Sequence, residues 1–292
     1  MQSRIVTRED YQNRINVVIE YINHHLGEEI DLKTLAGISN FSAFHFHRIF
    51  KAMQEETLAA YISRIRMEKA ALLLRYSELP VENIAYQVGF GSPSSLSRAF
   101  KLFYGISPII YKTNQNIYLT KSKEMKTTNQ ELQSYLQLSA QIINRENQPV
   151  IYIHLTGSPD QVDYPGAYAR LWNFLAEENL LPAEAEHIGI YHDDPNVTPA
   201  EKLRSDVCLT IHKEVKPRGD IGVKNLAGGR YAVFHYQGPY HHLGTIHDMI
   251  FREWLPNSGY ELRDEPFFEK FVSDPTNTPP DKQLVEIYFP IQ

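Results

Sequence analysis

Two internal duplications constrain this chain more tightly than any other feature of its sequence. Ser42, Arg48-Ile49-Phe50-Lys51 and Tyr61 recur fifty positions later as Ser92, Arg98-Ala99-Phe100-Lys101 and Tyr111. Just upstream, Leu35-Ala36 matches Ile84-Ala85 with a slip of one residue. Farther along, Asp194-Pro195, Thr198-Pro199, Lys202, Asp206 and Ile211 recur eighty positions later as Asp274-Pro275, Thr278-Pro279, Lys282, Glu286 and Ile291. Phe174-Leu175 likewise matches Trp254-Leu255. A fixed offset means one supersecondary unit built twice. Two unrelated offsets mean two domains, each internally duplicated.

The apolar period agrees with that division. Through residue 113 apolar residues recur at helical spacing, without the alternation of strands. Residues 114–135 are polar and suit a linker. From about 136 the pattern alternates, at Leu136, Leu138, Ala140 and Ile142, then at Val207, Leu209 and Ile211, then at Val285, Ile287 and Phe289. Helical stretches around 165–179 and 245–256 fall between strands. The expected architecture is an all-α domain over 8–113, a linker over 114–135, and an α+β duplicated domain with an antiparallel sheet over 136–292.

Charge divides the same way. Residues 1–113 carry 13 Lys and Arg against 11 Asp and Glu, whereas residues 114–292 carry 16 against 24. The first part suits a polyanion if its basic groups share a face, and phosphate would repel the second. Cys208 is the only cysteine, which excludes a disulfide framework and a cysteine-built zinc site within one chain. No stretch approaches about 18 uninterrupted apolar residues, and MQSRIVTREDYQ lacks the apolar core of a secretion signal. A cytoplasmic protein with no membrane partner is expected.

In DLKTLAGISNFSAFHFHRIFK, residues 31–51, Asp31 can cap a short helix holding Leu32, Leu35 and Ala36. Gly37-Ile38-Ser39-Asn40 supplies a turn, and Ser42 can cap a second helix. Ile38, Phe46, Ile49 and Phe50 are expected inside. Ala43, Phe44, His45, His47, Arg48 and Lys51 are left facing outward or toward DNA, with Phe44 equally suited to the core. This is a helix-turn-helix, whose second helix reads the major groove. The second copy, VENIAYQVGFGSPSSLSRAFK, has Gly89 and Gly91 at the turn, Ser92 as cap and Pro93 at the first helical position. Ser94, Ser95, Ser97 and Arg98 face out, with Lys101 following. Arginine can bond two acceptors of guanine. Between the copies, Leu58 to Ser77 lacks Gly and Pro and would rise about 30 Å as one helix. One turn of B-DNA is about 34 Å. A single chain can therefore read two successive major grooves, so a monomer or a weak dimer is expected on double-stranded promoter DNA.

Residues 8–113 resemble the AraC/XylS family of regulators, on Ile84-Ala85, Val88-Gly89-Phe90, Ser92, Leu96, Arg98, Phe100-Lys101, Gly105, Ser107-Pro108 and Tyr111. The resemblance implies base-reading roles for Phe44, His47 and Arg48 in the first unit and for Ser94, Ser95 and Arg98 in the second. Residues 136–292 resemble the GyrI-like effector-binding domain. The matching residues are Gly228-Gly229-Arg230-Tyr231-Ala232-Val233-Phe234, Gly238-Pro239-Tyr240, Trp254-Leu255, Ser258-Gly259-Tyr260 and Val285-Glu286-Ile287-Tyr288-Phe289-Pro290-Ile291. That family is associated with small, often cationic or amphipathic molecules bound in a cleft between two halves. The combination resembles the Rob-like subgroup, and implies a transcription activator with a small-molecule effector and RNA polymerase as a further candidate partner.

The residues suggest a cleft independently. Val285, Ile287 and Phe289 form one strand face, and Leu284, Glu286 and Tyr288 the other. In the first half Val207, Leu209 and Ile211 oppose Arg204, Asp206 and Cys208. The apolar faces should meet the helices, and the faces bearing Asp206 and Glu286 should line the surface where the halves meet. A carboxylate among aromatic rings attracts cations; the candidate rings are Trp172, Tyr191, Trp254, Phe271 and Tyr288. The rival reading leaves both carboxylates on an open, solvated face and the tryptophans in the core. Glu286 as a general base would make a hydrolase, and a large apolar patch would make a protein-interaction module. No H-E-x-x-H, Gly-x-Ser-x-Gly, Walker A loop or dinucleotide fingerprint is present, and no carboxylate spacing completes a metal site with His241, His242 and His247. No catalytic residue, metal or cofactor is expected.

Overall fold

The structure, a computed structural model, describes residues 2–113, 139–181, 185–195, 198–263 and 265–292, with the side chains of 2–9 and 44 left undescribed. The expected linker, with Leu136 and Leu138, lies outside these residues. The chain divides into two compact units, in the main a helical N-terminal one and a mixed C-terminal one. No helix among the described residues is long and apolar enough to cross a membrane.

The helical unit contains α1 (Gln2–His24), α2 (Leu32–Ile38), α3 (Ala43–Gln54), α4 (Leu58–Tyr76), α5 (Val81–Gln87), α6 (Pro93–Tyr104) and α7 (Pro108–Thr113). Helices α6 and α7 start fifty positions after α3 and α4, but α5 only forty-nine after α2, reproducing the slip in the sequence. The caps fix these starts. Asp31 accepts from the amides of Lys33 and Thr34, Ser42 from His45, and Ser92 from Ser95. Helices α3 and α6 both end in a left-handed residue, Glu55 (φ 58°) and Gly105 (φ 78°).

Helix α4 belongs to two cores. Its Leu58, Tyr61 and Ile65 pack with Ile15, Val18, Ile19 and Ile22 of α1 and with Phe46 and Phe50 of α3. Its Met67, Ala70, Ala71 and Leu74 pack with Ile84, Ala85, Leu96, Phe100 and Tyr111. Of the residues expected inside, Phe46 and Phe50 are fully buried, and Ile38 and Ile49 pack half-buried against the same core. Between the cores the buried Arg64 pairs with Glu56 (2.7 Å) and Glu68 (3.1 Å). A clasp joins the two helix-turn-helix units. Arg66 of α4 donates to the carbonyls of Leu26 (3.1 Å) and Glu28 (2.9 Å) just past α1. Gly89, in the second turn at φ +80°, lies so close that a Cβ would stand 2.3 Å from Leu26 O and 2.5 Å from Arg66 Nη2.

The mixed unit contains β1 (Gln141–Arg145), β2 (Gln148–Thr156), α8 (Tyr164–Glu177), β3 (His187–Tyr191), β4 (Arg204–Thr210), β5 (Ile221–Leu226) and β6 (Gly229–Gln237), followed by α9 (Leu243–Met249). A π-helical turn (Ile250–Trp254), α10 (Leu255–Ser258), β7 (Phe268–Phe271) and β8 (Leu284–Pro290) complete it. The strands form one antiparallel sheet in the order β1-β6-β8-β7-β3-β4-β2-β5. The eighty-residue repeat appears as a pseudo-twofold: β3 and β4 of one half match β7 and β8 of the other. The halves exchange their first strands, since β1 pairs with β6 and β5 with β2. At the centre β3 meets β7, and the repeat-equivalent residues Gly189 and Glu269 face each other in register.

As expected, the apolar faces of β4 and β8 meet helices. Val207, Leu209 and Ile211 pack with Ala167, Leu171, Phe174 and Leu175 of α8. Val285, Ile287 and Phe289 pack with Leu243, Ile246, Met249 and Ile250. Register puts Val207, Gly189, Glu269 and Ile287 in one row on this helix-bearing face. Asp206, Ile190, Phe268 and Tyr288 form a row on the opposite face.

Candidate nucleic-acid interface and effector site

Helices α3 and α6 each present a polar face. On α3, His45, His47, Arg48 and Lys51 are exposed. On α6, Ser94, Arg98 and Lys101 are exposed. The capping serines have a structural duty as well: Ser42 and Ser92 hold helix N-termini, and the Ser95 hydroxyl donates to Ser92 O at 2.7 Å. Phe44 lies in α3, but its side chain is outside the described residues. What the two helices offer is guanidinium, ammonium, imidazole and hydroxyl donors near their N-terminal halves, the groups that bond base edges and phosphates.

The mixed unit holds a different chemistry at its pseudo-twofold. Glu269 is 0% exposed, on the helix-bearing face between the two helix-packed cores. His247 Nε2, from α9, stands 2.8 Å from Glu269 Oε1. That nitrogen completes no hydrogen bond of good geometry among the described residues. Four tyrosines feel the carboxylate. Burial, and in addition the Glu269 charge, push Tyr168 and Tyr191 well above the usual phenol range and raise Tyr164 and Tyr240. Three of these hydroxyls are engaged elsewhere: Tyr164 with Ser205 Oγ (3.3 Å), Tyr168 donating to Ile188 O (2.9 Å) and Tyr240 to Ser273 O (3.4 Å). Around the carboxylate the rings pack on one another. Phe267 lies 4.7 Å from the His247 ring and 6.0 Å from Tyr191, and Phe271 lies 5.2 Å from Tyr240. Opposite Glu269, Gly189 lets the Tyr191 and Phe271 rings close in; a Cβ there would meet Tyr191 Oη at 3.1 Å and Phe271 at 3.2 Å. The Tyr191 hydroxyl hydrogen-bonds the carboxylate, and a desolvated carboxylate walled by ring faces attracts cations by charge and by cation–π contact.

Comparison with known proteins identifies the chain. Residues 139–292 match the family model of the GyrI-like small molecule binding domain, and residues 35–114 match that of a helix-turn-helix domain. The chain belongs to the GyrI-like family. Its N-terminal domain is of AraC type, and the protein is a DNA-binding transcription regulator carrying a small-molecule binding domain. It is 30% identical to the regulatory protein SoxS of Salmonella typhimurium, over 35% of this chain and 95% of that protein. It is 29% identical to the probable transcriptional regulator YgiV of Escherichia coli, over 53% of this chain and 98% of that protein. It is 33% identical to the uncharacterized HTH-type transcriptional regulator YbfP of Bacillus subtilis, over 39% of this chain and 39% of that protein. The chain thus spans well under half of YbfP.

Within this GyrI-like domain the sequence-derived effector residues separate. Tyr191 and Phe271 adjoin the Glu269 cluster. Trp172 stands farther along the same face, its Nε1 donating to His187 Nε2 at 3.0 Å, and the His187 ring lies 5.1 Å from Tyr168. Trp254 packs in the core, edge-on to Phe234 and stacked on Tyr260. The expected cleft with Asp206 and Glu286 as symmetric walls requires correction. Both side chains, and Tyr288, occupy the opposite sheet face, and three strand spacings, roughly 14 Å, separate β4 from β8. Each carboxylate has ion partners of its own. Asp206 is fully buried between His154 Nδ1 (2.6 Å), His192 Nε2 (2.7 Å) and the Lys224 ammonium. Burial pushes its carboxyl up, but Lys224 and the two histidines prevail and hold it well below the usual range. The two histidines and Asp206 could group around a metal, yet their spacings are hydrogen-bond lengths and Lys224 already brings a cation. Glu286 accepts from Tyr288 Oη (2.7 Å) and pairs with Lys270 (3.3 Å).

Sequence reasoning missed Glu269 because β7, PFFEKFV with only four paired residues, is too short to display alternation. The repeat contained the signal: position 269 is Gly189 plus eighty, and the strand pair nearest the twofold is the one where the halves meet.

Proposed function

We propose that this regulator binds promoter DNA as a monomer through α3 and α6 and activates transcription in response to a small organic cation held at Glu269. The observation that carries the effector class is the fully buried Glu269 carboxylate, whose close polar neighbours are the Tyr191 hydroxyl and the His247 ring, walled by Tyr191, Phe267 and Phe271. In the DNA complex Arg48 and Arg98 read guanine, with His45, His47, Ser94 and Ser95 on neighbouring base edges, and Ser42, Lys51, Ser92 and Lys101 contact phosphate. RNA polymerase is the partner through which activation is exerted. No catalytic role is assigned.

The test compares benzyltrimethylammonium with its neutral isostere neopentylbenzene on the full chain, following the fluorescence of Trp172 and Trp254. The cation is expected to bind at least about tenfold more tightly, about 1.4 kcal/mol, and Glu269→Gln to abolish that preference while Glu286→Gln preserves it. Equal binding of cation and isostere would sink the proposal. Loss of the preference in Glu286→Gln alone would return the site to the other face. Chemical conversion of a bound ester or amide would favour a hydrolase. Repeating the titration with promoter DNA tests regulation, which requires that ligand and DNA change each other's affinity by the same factor.

A further inference from the structure

A buried carboxylate without a counter-ion is costly, and removing the partner of a buried ion pair is strongly destabilising. Glu269 therefore needs a positive charge nearby when no ligand is present. Among the described residues one basic side chain stands at ion-pair distance from it, His247. The other groups on that side are phenols and phenyl rings, from α8 (Tyr164, Tyr168), β3 (Tyr191), the turn before α9 (Tyr240) and the residue before β7 (Phe267). The hydroxyls of Tyr168 and Tyr240 donate to backbone carbonyls, that of Tyr164 bonds Ser205 Oγ, and that of Tyr191 bonds the carboxylate as a neutral donor that supplies no positive charge. Geometry also shows that the imidazole is a poor permanent partner. It lies 2.8 Å from Oε1 but at an angle that makes no hydrogen bond, leaving its own Nε2 unsatisfied. The helix that carries it changes three residues later into the π-helical turn Ile250–Trp254, followed by Pro256. π-turns within helices recur at functional sites, and this one gives the His247 segment an irregular continuation.

We propose that His247 is the resident cation of the effector site, displaced when ligand binds. The inference rests on the reading of Glu269 as the effector carboxylate and extends it to the ligand's chemistry. An incoming cation must displace the imidazole edge from Oε1. The site therefore selects ligands of fixed or strongly held charge: quaternary ammonium, phosphonium, guanidinium or strongly basic amines. Imidazole-like weak bases gain nothing over His247 and are rejected.

The experiment titrates the full chain with benzyltrimethylammonium, whose charge does not depend on pH, at about pH 6 and about pH 8, by calorimetry. Histidine is the side chain that changes charge across this range, and tighter wild-type binding is expected at the higher pH. His247→Gln should bind with equal affinity at both values, and more tightly than wild type at the lower. His247→Lys, which keeps a fixed cation on the same turn, should bind more weakly than wild type at both. A pH slope in His247→Gln equal to that of wild type overturns the proposal, and so does undiminished affinity in His247→Lys. If Glu269→Gln binds as well as wild type, the effector site itself is misplaced. That failure is separate from one in which Glu269 matters and His247 does not.

Discussion

At the scale of single residues, the position of a charge decides its function. Arg98 is exposed on α6, where nothing requires it for folding. Arg98→Ala should weaken specific DNA binding by about 1–3 kcal/mol while leaving the melting temperature unchanged. Gel-shift competition checks the specificity: equal loss on cognate and random DNA would reduce Arg98 to a phosphate contact. Asp206 is the opposite case. Its folded carboxyl is held well below the usual range by Lys224 and two histidines that outweigh its burial, whereas in the unfolded chain it titrates near about 3.9. Its stabilisation is complete above about pH 4 and disappears as pH falls through the folded value. Asp206→Asn leaves three largely covered basic groups without their fully buried carboxylate and should cost about 3–5 kcal/mol at neutral pH, with a shallower loss of stability on acidification than wild type. Urea unfolding followed by tryptophan fluorescence measures this directly, because Trp172 and Trp254 both belong to the mixed unit. The sequence showed Asp206 as a charge on an alternating strand. It could not show that His154, His192 and Lys224 converge on it from β2, from beyond β3 and from β5, because those residues are remote in the chain.

Among elements, caps and periods were the legible part. Asp31, Ser42, Ser92 and Pro93 start their helices as expected, and the one-residue slip between Leu35-Ala36 and Ile84-Ala85 reappears as the offset between α2 and α5. Strands β4 and β8 were legible because seven residues suffice to display alternation. The four-residue β7 was not, and the buried carboxylate of Glu269 went unseen with it. Nor does local sequence reveal why Gly89 is glycine. The turn needs its left-handed backbone, but the tighter constraint is the carbonyl of Leu26, contributed by the other helix-turn-helix unit. Gly89→Ala incurs both costs and should destabilise the helical unit by roughly 2–4 kcal/mol. Thermal unfolding followed by circular dichroism checks it. A loss below about 0.5 kcal/mol, the scatter of ordinary surface substitutions, would mean that the Arg66 clasp is slack.

Across the whole molecule, the clasp sets how DNA can be read. Helix α4 has 19 residues and is about 28 Å long, and Arg66 with Gly89 fixes one helix-turn-helix unit against the other. A cognate site lengthened between its half-sites by half a helical turn, roughly 5 base pairs, should lose specific binding. A full-turn insertion should not restore it, because a braced pair cannot stretch as a tethered pair can. Footprinting of the three sites distinguishes the two. The mixed unit is tied together differently, through the exchange of β1 and β5 between its halves. Strand β1 ends at Arg145, and its partner β6 begins only at Gly229. On the ribosome the first half is therefore complete in sequence but lacks β5, and its own β1 waits for a strand not yet synthesised. Pairings so distant in the chain form slowly. A domain that is two copies on paper is thus born as one: premature termination leaves unpaired strand edges rather than a smaller working half, and the duplication cannot be undone by cutting the gene between its repeats.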